Sequence, residues 1–173
     1  DGYEQFDNYG KPDIPNVDRV GAWLDANRPA EAKMGIIHGD YQFANVMMAP
    51  NEPKLAAIVD WELSTLGDPL LDLGWVLTSW IEPGDPPGKL PLLQPWEGMQ
   101  SRADLIARYA ETSGRDVSDM PWFFVMACYK LGILLEGTYA RAGAGQADPA
   151  MGDIFHGMTR WLFARANQSI DGA

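Results

Sequence analysis

Between residues 34 and 72 the chain carries apolar runs too short for helices, and each ends in acidic or amide residues. Apolar residues on either side of that block repeat at helical spacing. A mostly helical fold with a few short strands is the arrangement this pattern allows. Met34–Ile37 reads as a strand leading into the loop His38-Gly39-Asp40. Val46–Ala49 and Leu55–Val59 flank Pro50-Asn51-Glu52-Pro53, a turn that predicts a β-hairpin with Asp60 at its far end.

The helices carry their own punctuation. Val17, Val20, Trp23 and Leu24 recur at helical spacing after Asn16, a predicted N-cap, and Pro29 stops the pattern. Asp68-Pro69 predicts the start of a helix through Trp80 that is apolar nearly all round and therefore buried. Five prolines between residues 82 and 98 predict a loop without regular structure. Ser101 and Asp104 form a capping-box pattern for a helix ending near Gly114. Two more helices are predicted over about 118–142 and 149–167, with Gly143-Ala144-Gly145 as a cap and loop between them. Residues 1–16 read as an irregular lead-in or severed linker, and residues 17–173 as one domain.

Composition narrows the function classes. The chain of 173 residues has 13 basic and 24 acidic side chains, a net charge of −11, so a general affinity for nucleic acid is not expected. The lone cysteine, Cys128, excludes an internal disulfide and a cysteine-rich zinc site and reads as a packed core thiol. No 18-residue apolar stretch is free of charge, so no membrane span is expected. A cytoplasmic, reducing setting fits these features.

The residues that packing does not explain fall into three pieces: His38-Gly39-Asp40 with Asn45, then Asp60-Trp61-Glu62, then Asp68 and Asp72. Asp40 and Asn45 share one loop, and the hairpin would bring Asp60 to the same place. One carboxylate can take the proton of an attacking hydroxyl. An amide oxygen and a second carboxylate can ligate a hard cation, which prefers oxygen donors. Phosphoryl transfer needs these parts. Trp75, Trp80, Trp122 and Trp161 read as core, and Trp61 as a wall of the site. His156 reads as structural, and Glu136 or Asp153 as groups that could face a cationic acceptor.

This order of motifs resembles the catalytic and metal loops of protein-kinase-like enzymes. It is most similar to the aminoglycoside phosphotransferase and choline kinase family, nearest the branch associated with acyl-CoA dehydrogenases. The likeness covers roughly residues 17–165 and implies the α+β, mostly helical C-terminal lobe of that fold. It implies ATP and Mg²⁺ as cofactors and a small-molecule hydroxyl acceptor as partner. Asp40 would be the catalytic base, and Asn45 and Asp60 would hold Mg²⁺ with the nucleotide phosphates. His38 would buttress the catalytic loop, and Asp72 would tie its backbone to the following helix. Asp68 fits helix capping, and Glu62 stands where protein kinases have glycine. The family's glycine-rich N-terminal lobe and its phosphate-binding lysine have no counterpart in the roughly 37 residues before His38, so that lobe, or self-association, is an expected partner. A binding module without chemistry and a metal-dependent hydrolase are the alternatives. The family's acceptors span aminoglycosides, choline, sugars, amino-alcohols and hydroxyacyl thioesters.

Overall fold

Among the described residues, one helix, four short strands and four further helices follow in the order the spacing predicts, with one strand added. The structure, a computed structural model, describes residues 14–86 and 97–172. In chain order the elements are α1 (Val17–Ala26), β1 (Gly35–Ile37), β2 (Val46–Met48), β3 (Leu55–Ile58), β4 (Thr65–Gly67), α2 (Leu70–Ser79), α3 (Arg102–Ser113), α4 (Met120–Gly143) and α5 (Pro149–Asp171). Single 3₁₀ turns lie at Phe43–Asn45 and Trp61–Leu63. The fold is α+β and mostly helical.

β2 and β3 form the antiparallel hairpin, Val46 opposite Ile58, with an irregularity between Met47 and Met48. β4 pairs antiparallel with β1, Ile36 opposite Leu66. This pairing was not read from the sequence, because three residues carry no period-2 signal. Asn16 holds the cap position of α1, but its backbone is left-handed (φ 65°) and its side chain makes no cap bond. Pro69, not Asp68, holds the cap position of α2, so Asp68 lies one residue further out; its Oδ1 still accepts the Leu70 N–H at 3.0 Å and its Oδ2 the Lys33 N–H at 2.9 Å, joining α2 to the segment before β1. Ser101 and Asp104 make the full capping box of α3, which ends on left-handed Gly114 (φ 67°). The proline-rich stretch is described only at its ends; residues 87–96 lie outside the described residues.

The main core joins α1, α4 and α5 through Val20, Leu24, Val125, Cys128, Leu162 and Phe163. Each large buried side chain there contributes about 1.5–3 kcal/mol. Burial pushes the Cys128 thiol up to about 12, so it stays an unreactive core group. α4 is long and apolar enough to cross a membrane by length and composition, with mean hydropathy 1.2 over its best window. In the fold its apolar residues pack on α5, α3's neighbour α2, and α1, and Lys130 and Glu136 interrupt it. A smaller core joins α2 (Leu70, Leu77) to the start of α4 (Met120, Phe123), with Leu105 and Ile106 of α3 against it.

An ion cluster pins the chain after α2. Arg102 grips Asp85 through both terminal nitrogens, at 2.8 and 2.9 Å, and its Nε lies 3.0 Å from Glu82. Buried Arg165 donates to the carbonyls of Leu77, Thr78 and Trp80 and lies 3.6 Å from Asp85. Burial alone would raise the Asp85 carboxyl. The Arg102 hydrogen bond, the Glu82 N–H and the two guanidinium charges outweigh it and hold the carboxyl below its ordinary value of 3.8. A lowered carboxyl stabilises the fold above its unfolded value, and that stabilisation is lost as pH falls through the folded one. Chemical denaturation should therefore show wild type losing stability below about pH 4, with a shallower acid slope in Asp85→Asn.

Candidate active site

Two tethers hold the loop between β1 and β2. The Asp72 carboxylate, on the first turn of α2, accepts the His38 N–H at 2.6 Å (Oδ2) and the Gly39 N–H at 3.0 Å (Oδ1). The His38 Nε2 lies 2.8 Å from the Val59 carbonyl, which can only accept, so Nε2 carries the proton. Nδ1 is then free to accept the Asp40 N–H at 3.3 Å. His38 is buried, and its ring is tilted 53° to the Trp61 ring at 4.8 Å, so it links the loop after β1 to the end of β3. Gly39 is left-handed (φ +86°), and a Cβ there would come within 2.4 Å of the Leu63 carbonyl oxygen. Only glycine meets both demands.

Asp40 sits at the centre of a ring of donors. Oδ1 accepts from Trp75 Nε1 at 3.0 Å, Oδ2 accepts from Asn45 Nδ2 at 3.0 Å, and Gln42 Nε2 lies 2.9 Å from both oxygens. Asn45 Nδ2 also donates to the Asp40 carbonyl at 2.8 Å. The bonds from Trp75, Asn45 and Gln42 fix the orientation of the carboxylate. The hairpin carries Asp60 to the same edge: Val46 faces Ile58, and the Val59 N–H donates to the Asn45 carbonyl at 2.9 Å. Asp60 is exposed and left-handed (φ 65°), a conformation that costs a non-glycine residue about 1–2 kcal/mol. Among the described residues its carboxylate and the Asn45 Oδ1 take no hydrogen bond, so these oxygens remain for another ligand.

Asp40, Asn45 and Asp60 thus share one end of the hairpin, and His38 and Asp72 hold the loop from behind. Asp68 is spent on the N–H groups of Leu70 and Lys33. Glu62 and Trp61 are exposed beside Asp60. Glu136 is not turned toward a ligand. It is 1% exposed and paired with His156 at 3.0 Å, and Tyr139 stacks on that imidazole at 4.4 Å. Trp75 is buried, as expected of a core residue, yet its N–H holds Asp40. Gln42, Trp75 and Lys130 were missed as site residues. Lys130 Nζ lies 3.5 Å from the Gly39 carbonyl and 5.0 Å over the Trp75 ring. Its signal in the sequence was a single cation in an otherwise apolar stretch of helix.

Asp72→Ala removes the acceptor of two loop N–H groups, His38 and Gly39. Charge-assisted bonds of this kind make a loss of roughly 2–3 kcal/mol the expected result in urea denaturation.

The profile of the phosphotransferase enzyme family matches residues 3–111, more than half of the chain. The chain belongs to that family. Its curated relatives include acyl-CoA dehydrogenase family member 11 of Rattus norvegicus, 31% identical over 143 residues, and member 10 of Mus musculus, 29% identical over 146 residues. The matches take in 80% and 79% of this chain but only 18% and 13% of those relatives. A solved protein of Ralstonia eutropha, provisionally assigned as an aminoglycoside phosphotransferase, superposes with a TM-score of 0.77 and 30% identity. That match covers 96% of this chain and 53% of the solved one. The fold is accordingly the helical lobe of a kinase-like phosphotransferase, in the branch associated with acyl-CoA dehydrogenases.

Proposed function

We propose that the chain is the catalytic lobe of an enzyme that moves the γ-phosphoryl group of ATP to the hydroxyl of a small molecule. The observation that carries this reading is the Asp40 carboxylate, fixed by Trp75, Asn45 and Gln42 beside the uncommitted amide oxygen of Asn45 and carboxylate of Asp60. Asp40 accepts the proton of the acceptor hydroxyl as its oxygen bonds to the γ-phosphorus. The bond between that phosphorus and the bridging oxygen breaks, and ADP leaves with the electron pair.

The donor set fits Mg²⁺: one amide oxygen and one carboxylate, leaving positions for water and phosphate oxygens. Bound there, Mg²⁺ would neutralise charge on the phosphates. Asn45 serves both sides, since its Nδ2 orients Asp40 while its Oδ1 stays open. His38 and Asp72 position the loop that presents Asp40.

The surface beside the site supports a second lobe as partner. Ile36 and Leu66, paired across β1 and β4, are 71% and 70% exposed, and Trp61 and Leu63 are about half exposed beside them. A contiguous apolar surface of this kind marks an interaction site. In the whole protein a nucleotide-binding lobe would cover it, with a second copy of this chain as the other candidate.

Phosphorus NMR of Mg·ATP with a panel of hydroxyl compounds tests the reading. Loss of ATP matched by ADP and a new phosphate ester is expected. Inorganic phosphate released without any acceptor would instead mark a metal-dependent hydrolase, and no ATP consumption with any polypeptide containing this chain would mark a binding module.

A further inference from the structure

The two oxygens of Asp40 face different surroundings. Oδ2 is held by Asn45, on the side of the proposed nucleotide and metal. Oδ1 is held by Trp75, and Lys130 lies over the face of that same indole. The only acceptor near the Lys130 ammonium among the described residues is the Gly39 carbonyl, at a long 3.5 Å, next in sequence to Asp40. An ammonium carries three donors. Among the described residues no carboxylate pairs with Lys130. Glu136, the acidic group on the same helix that could have served a cationic acceptor, is buried and bound to His156. The Oδ1 side of Asp40, held by Trp75 rather than Asn45, is therefore marked by a half-buried positive charge with unspent donors.

We propose that Lys130 is a specificity-determining residue for the acceptor, selecting hydroxyl compounds that carry an oxyanion, a carboxylate or phosphate, close to the hydroxyl that is phosphorylated. The proposal rests on the phosphotransfer reading for its reaction but not for its binding contact. A hydrogen bond to a charged group, lost without replacement, costs about tenfold or more in affinity. It would also set this chain against polycationic acceptors, which Lys130 would repel.

The test uses glycerate, glycerol and ethanolamine as matched anionic, neutral and cationic alcohols, with inorganic phosphate as a fourth probe. Ligand-observed NMR on the chain without nucleotide gives binding apart from turnover. Glycerate is expected to bind at least tenfold tighter than glycerol or ethanolamine. That preference should vanish in Lys130→Met and survive in Lys130→Arg, with circular dichroism checking that both variants fold. In Mg·ATP turnover, the glycerate-to-glycerol ratio of kcat/KM should collapse in the same way. No saturable glycerate binding, equal binding by wild type and Lys130→Met, or a preference for ethanolamine would overturn the proposal. So would a Lys130→Met effect confined to inorganic phosphate, which would give Lys130 to the transferred phosphoryl group. Lys130-dependent glycerate binding without phosphorylation would leave the contact standing and remove the phosphotransfer reading.

Discussion

Asp40→Asn should lower kcat by about 10²–10⁴-fold, the usual range for loss of a positioned general base, while leaving Mg·ATP affinity largely intact. The affinity would be spared because, in the proposed reaction, Asp40 meets the acceptor hydroxyl, whereas Asn45 and Asp60 would present the oxygens for metal and phosphates. The substitution also carries a local cost. Both carboxylate oxygens of Asp40 accept, Oδ1 from Trp75 and Gln42, Oδ2 from Asn45 and Gln42. An asparagine places an NH₂ where one of those oxygens was, so a donor faces a donor. Roughly 1–3 kcal/mol of stability should go with it, read from denaturant midpoints. Asp40→Ala, which introduces no opposing donor, should show the same kinetic loss. Normal turnover in both variants would remove Asp40 as the base.

Asp60→Ala should act differently, removing metal and nucleotide binding together. Asp60 supplies a carboxylate that no protein group among the described residues engages, at the end of a hairpin whose register is set by Val46 and Ile58. Its left-handed backbone is also a conformation alanine adopts only at a cost of about 1–2 kcal/mol. Asp60→Gly separates the two effects: it relieves the backbone and still lacks the carboxylate. Both variants should lose Mg²⁺-dependent nucleotide binding, and only Asp60→Gly, which sheds the backbone cost that Asp60 already carries, should gain in stability.

The sequence carried the helices well because their ends are chemical. Ser101, Asp104 and Asp68 satisfy backbone N–H groups through their side chains, and Gly114 ends α3 through its left-handed backbone, its N–H donating to the Ala110 carbonyl; these preferences are local. The hairpin was legible for the same reason, in Pro50-Asn51-Glu52-Pro53. β4 was not, because Thr65–Gly67 becomes a strand only through its pairing with β1. Among the site residues, Asp40, Asn45 and Asp60 stood out as polar groups at strand ends. Trp75 is core, as read, but with a contact to the site that the sequence did not show, and Glu136 is sealed where an acceptor contact was expected. On helices that are apolar nearly all round, periodicity does not tell which face meets the catalytic loop and which is sealed against a neighbour. Trp75 proved to touch Asp40, and Glu136 proved to be buried against His156. Lys130 comes from about ninety residues downstream, and its place over Trp75 depends on how α4 packs on α2.

Calorimetric titration with Mg·ATP, of this chain and of the longest polypeptide that contains it, tests the central claim most directly. Saturable binding is expected in the longer polypeptide at least, abolished by chelating the metal and by Asp60→Gly. Binding by neither polypeptide, or binding indifferent to both the metal and Asp60, would contradict the assignment of Asn45 and Asp60 to a nucleotide-bound metal.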